Sequence, residues 1–96
     1  MGTKLKPGTF DCYANAAPDE PMFVLLARDE SAPKMVRDWV REREVRKGRP
    51  WPVVVDPSLP QFDDKAREAL ACADAMERWR KLPVEPRTPP ADKEKP

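Results

Sequence analysis

Histidine does not occur in this chain, and with it go the residue most often used as a general base near neutral pH and the commonest metal ligand. Most hydrolase mechanisms are thereby excluded. Glycine occurs three times and no Gly-rich phosphate loop can be traced. The two cysteines, Cys12 and Cys72, stand sixty positions apart; with no secretion signal in view they read as reduced thiols. No window approaches the roughly 20 consecutive apolar residues of a membrane span. The opening MGTKLKPGTFDCYANAAP also lacks the apolar run of a signal peptide. The expected location is the cytoplasm. Nor is there a field of one sign. Eighteen lysines and arginines face 17 acids, so neither duplex nucleic acid nor an anionic membrane is an expected partner.

What is present is polar and heavily punctuated: 40% apolar residues, 36% charged, and 13 prolines among 96 positions. A chain of this size buries only roughly 60% of the surface it exposes when unfolded. One small domain, stabilised by self-association into a homo-oligomer, is the expectation. The near-neutral total hides an asymmetry. Residues 34–49 hold seven bases against three acids, whereas residues 1–33 hold five acids against three bases.

Two amphipathic helices are predicted. From Ala32 to about Lys47, apolar Ala32, Met35, Val36, Trp39 and Val40 recur at helical spacing, with Arg37, Asp38, Arg41 and Glu42 on the other face. Ser31 or Asp29 is the expected N-cap, Pro33 suits a first turn, and Gly48 with Pro50 supplies the stop. The second helix is predicted from Asp63 or Asp64 to Leu82, on the repeat of Ala66, Ala69, Leu70, Ala73 and Met76, before Pro83. Acids open it and bases close it, the order favoured by the helix dipole. Its small side chains let another helix approach closely. The link RPWPVVVDPSLPQF holds four prolines and is not helical, though Val53–Val55 could form a short strand. Residues 1–17 read as an N-terminal arm that Phe10 and Tyr13 could pack onto the domain. Residues 18–82 form the domain, and the Pro- and charge-rich residues 83–96 read as a disordered tail.

Between the arm and the first helix lies PDEPMFVLLARDESAP, residues 18–33, an apolar run fenced by prolines and acids. Residues 22–28 fit a buried strand through Phe23 and Val24, or a short helix capped by Asp19 with Pro21 in its first turn. On either reading the segment is expected to cover the helical hairpin as the third wall of its core. The fold class is therefore mainly α, with α+β left open.

The positions Asp19, Glu20, Pro21, Phe23, Val24, Leu25, Ala27 and Asp29, then Ala32, Pro33, Val36 and Trp39, then Ala69, Ala73, Met76 and Trp79 resemble a family of short phage and prophage proteins. Its members carry a D-E-P-x-F-V-L-x-A-x-D segment, an A-P-x-x-V-x-x-W helix start and an alanine-rich closing helix. The likeness covers roughly residues 12–80, and the link of this chain is longer than the family's usual one. The resemblance implies a viral setting, hence the host cell's cytoplasm as the location, and no functional residues.

No catalytic, metal or cofactor site is expected. Adjacent Asp19 and Glu20 read as turn caps, and Asp63 with Asp64 as a helix start. Trp39 and Trp79 are expected in the core. On a helical wheel Arg43 falls within the apolar stripe of the first helix, flanked by Arg46 and Lys47, with Trp51 in the link beyond. Solvated surface pairs, Asp38 with Arg41 and Glu42 with Arg46, are one reading of this end. The other is an anion- or partner-binding site of Arg43, Arg46, Lys47 and Trp51, in which arginines fork onto phosphates and a tryptophan stacks. The function expected is that of a non-catalytic accessory protein binding a protein partner through its hairpin. The alternative is an oligomer that sequesters a nucleotide signal at a subunit interface, as a counter-defence protein would.

Overall fold

A computed structural model describes residues 1–83; the tail expectation lies almost wholly outside them. The fold is mainly helical. A single turn, α1 (Cys12–Asn15), precedes two long helices, α2 (Ala32–Arg46) and α3 (Asp64–Lys81), which pack on each other. Arg37 near the start of α2 meets Asp74 and Glu77 late in α3, and Arg43 near the end of α2 meets Asp63 just before α3. The pair is therefore an antiparallel hairpin.

Both long helices begin and end for local reasons. Ser31 stands at the N-cap of α2, with Pro33 in the first turn. The Ser31 amide and hydroxyl donate to the Asp29 carboxylate at 3.0 and 2.8 Å, fixing the approach to the helix. At the far end the amides of Gly48 and Arg49 return to the carbonyls of Val45 and Glu44. That is a Schellman closure, and it requires the positive φ of Gly48, +92°. Asp63 caps α3, its carboxylate accepting from the Ala66 amide at 2.8 Å. The predicted helix limits match to within a residue.

The core is thin and rich in alanine. Val40 of α2 meets Ala66, Ala69 and Leu70 of α3, and the link contributes Val53 and Phe62. Ala66, Ala69 and Ala73 are fully buried, as close approach of two helices requires. No strand occurs among the described residues. Val53–Val55 is irregular, with Val53 in the core and Val54 in solvent. The link is held by hydrogen bonds rather than pairing: Arg67 donates to the carbonyls of Phe62 and Leu59 at 3.0 and 3.2 Å. Asp56 repeats with Ser58 the turn that Asp29 makes with Ser31.

The expectation for residues 22–28 is overturned. They form neither strand nor helix, and they do not wall the core. Phe23 is 83% exposed, Met22, Val24 and Leu26 are exposed, and only Leu25 and Ala27 are partly covered. Val53 and Phe62 already close the hairpin, and among the described residues no neighbouring strand exists to pair with the segment. Its course is set at the C-terminal side, where Arg80 donates to the carbonyl of Arg28 at 2.8 Å.

The arm lies on α3 through one carboxylate. Glu68 accepts from the amides of Thr9 and Phe10 at 2.7 and 2.9 Å and from the Met1 ammonium at 3.1 Å. Gly8 makes this possible: it has φ +83°, and a Cβ there would lie 2.0 Å from the Met1 carbonyl oxygen. Phe10 is partly covered while Tyr13 is exposed, so only the first of the two aromatics packs.

Candidate partner-binding face

One flank of α2, beside the start of α3, presents Met35, Trp39 and Arg43 one turn apart. Trp39 was expected in the core, yet it is 40% exposed. The reason lies in α3: the alanines at 66, 69 and 73 bring the helices so close that the interface fills with Val40 and Leu70, leaving no slot for an indole. Trp79 is partly covered and lines a cavity between α3, the arm and residues 25–28.

Trp39 is held in a charged setting. The Arg43 guanidinium lies 4.9 Å from its ring centroid and the Lys65 ammonium 5.9 Å, both within reach of a cation–π attraction. Arg43 is itself oriented by Asp63, its two amino groups donating to the two carboxylate oxygens at 3.3 and 3.1 Å. The Lys47 ammonium reaches the same carboxylate at 3.4 Å. The Ala66 amide, then Arg43, with Lys47 behind, hold the Asp63 carboxyl well below the usual carboxylate range. The arginine on the apolar stripe thus stacks on the tryptophan and ties the end of α2 to the start of α3.

The four residues read from the sequence as a binding set divide. Arg43 and Lys47 converge on Asp63, Arg46 pairs with Glu42 at 3.1 Å, and Trp51 stands apart in the link, 68% exposed. Asp38 joins Lys34 and Arg41 at 2.6 and 2.7 Å, so both predicted surface pairs form. Inward of them, Glu44 is completely buried. Neither of its carboxylate oxygens makes a hydrogen bond, and the Lys47 ammonium and the Arg49 Nε approach them at 3.4 and 3.6 Å.

Three members of this face escaped the sequence. Met35 and Trp39 read as core because their spacing is that of a buried stripe. Lys65 is invisible because its ring contact crosses between helices. Asp63 was legible as a helix start, but its second role follows only from hairpin packing. Arg37 completes the tie between helices, donating to Asp74 at 2.7 Å and to Glu77. The Glu77 bond, aided by Asp74, pushes the guanidinium pKa up against its partial burial. Among the described residues no Cys, Asp and Glu side chains cluster as a metal site, and no helix is long and apolar enough to cross a membrane. No family model, curated protein or solved structure matches the chain.

Proposed function

We propose that this chain is a small, non-catalytic binding protein that engages a protein partner through the α2 flank of its hairpin, with Trp39 as the anchor. The observation that carries the reading is the pairing of exposure with order at that residue: an indole left 40% exposed, yet flanked by Arg43 and Lys65, with Arg43 fixed by Asp63. Interface hot spots are enriched in tryptophan and arginine, and an anchor already ordered loses little entropy on binding. Met35 one turn earlier extends the apolar contact. The surrounding cations favour a partner surface that is apolar at its centre and acidic at its rim. The resemblance to short phage proteins suits an accessory factor of this kind.

Affinity capture with wild type and Trp39→Ala, alongside calorimetric titration with linear and cyclic nucleotides, tests the proposal. The expected result is a protein retained by wild type, lost with Trp39→Ala at unchanged circular dichroism, and released by salt. Heat from a nucleotide, with capture indifferent to Trp39, would replace this reading by nucleotide sequestration.

A further inference from the structure

Beside the arm the chain carries both a projection and a recess. The recess is a cavity of about 340 Å³ between the arm, the turn at residues 25–28 and α3. Leu25, Leu26, Met76 and Trp79 supply apolar lining, and among the described residues its two charged lining residues, Lys4 and Arg28, are both basic. Its size matches the lower end of ligand-sized pockets, roughly 300–1,000 Å³. The projection is Phe23, which is 83% exposed and no part of that lining. It precedes Leu25 by two residues, so it stands within about 7 Å of the cavity wall along the chain. The residues just before it on the chain include the acids Asp19 and Glu20.

We propose that a second copy of this chain closes this face, with Phe23 of each copy seated in the cavity of the other. An aromatic projection preceded by acids, beside an apolar recess edged by bases, is self-complementary. A two-fold axis between them satisfies both at once, and every contact occurs twice. In that arrangement Asp19 of one copy faces Arg28 of the other. The projection is also held in place. Pro18 and Pro21 restrict the backbone before Phe23, and Arg80 binds the carbonyl of Arg28 after it, which lowers the cost of ordering on association. Consecutive exposed apolar side chains at Met22, Phe23 and Val24 are what an uncovered contact surface looks like in a single chain. Met35, Trp39 and Arg43 are not part of the cavity lining.

Sedimentation equilibrium of the full chain tests the pairing. Wild type should be a dimer at micromolar concentration. Phe23→Ala should weaken it by at least about thirtyfold, as loss of an aromatic hot spot does, while Trp39→Ala leaves it intact. Asp19→Lys and Arg28→Glu each place like charges across the axis twice, so each variant alone should be monomeric. Mixed in equal amounts they should form a heterodimer, because both cross-contacts are then of opposite sign. A monomeric wild type overturns the proposal, as does a dimer that survives Phe23→Ala or a mixture that stays monomeric.

Discussion

Arg43 and Asp63 meet through both carboxylate oxygens, and the same carboxylate caps α3. One acid therefore starts a helix, orients the cation stacked on Trp39 and joins the two helices. Substitution can separate these roles. Asp63→Ala should cost about 1 kcal/mol, the usual loss of an N-cap. Asp63→Asn keeps a good capping side chain but loses the charge that the Ala66 amide and Arg43 favour, and should fall between wild type and Asp63→Ala. Urea unfolding followed by circular dichroism measures both. An Asp63→Asn loss as large as that of Asp63→Ala would mean that the charge pairing, not the cap, matters.

Acid should unfold the protein through a small set of carboxylates. Asp63 is held low by the Ala66 amide first and Arg43 second. At Glu68 burial is the largest single influence and opposes ionisation, but the Thr9 and Phe10 amides and the Met1 ammonium together outweigh it and lower the pKa. A carboxyl whose pKa is lower folded than unfolded adds stability above its unfolded value, about 4. That stability is lost as pH falls toward the folded value. The urea midpoint should therefore be level through neutral pH as far as these acids are concerned and decline below about pH 4. Glu68→Gln should shallow the decline. A decline of unchanged slope in that variant would exclude Glu68 from the acid response.

Glu44 is the most costly placement in the fold. A carboxylate with no exposed surface and no hydrogen bond depends on two cations that are themselves partly in solvent, Lys47 and Arg49. Replacing a buried ion by an apolar side chain of similar size is often neutral or stabilising. Glu44→Leu should accordingly match or exceed wild type in melting temperature. Lys47→Ala combined with Arg49→Ala should lower it, since the buried charge then loses its partners. The reverse order of the two would show that Glu44 is stabilised by something other than these cations.

The hairpin was legible because its signals are local. Asp63, Pro33, Gly48 and the alanine repeat act within one turn of themselves, so their reading survives whatever packs around them. Residues 22–28 were misread because an apolar run states that burial is favourable without saying what would bury it. Here Val53 and Phe62, from a proline-rich link with little regular pattern, occupy the place expected for Phe23 and Val24. Trp39 failed for a related reason: its spacing is that of the core, but three alanines across the interface leave it no room. Arg43 looked displaced on the apolar stripe because its two partners, Trp39 and Asp63, lie on different elements.

The arm that Glu68 fastens to α3 also covers a thiol. Cys72 lies half-covered beside Gly2 and Thr3, and burial pushes its pKa up, whereas Cys12 is exposed. Alkylation depends on the thiolate and on access to it. The chain thus carries its own reference: Cys12 reports the rate of an open thiol, and the lag of Cys72 behind it reports how strongly the arm's cover and the raised pKa together protect that sulfur.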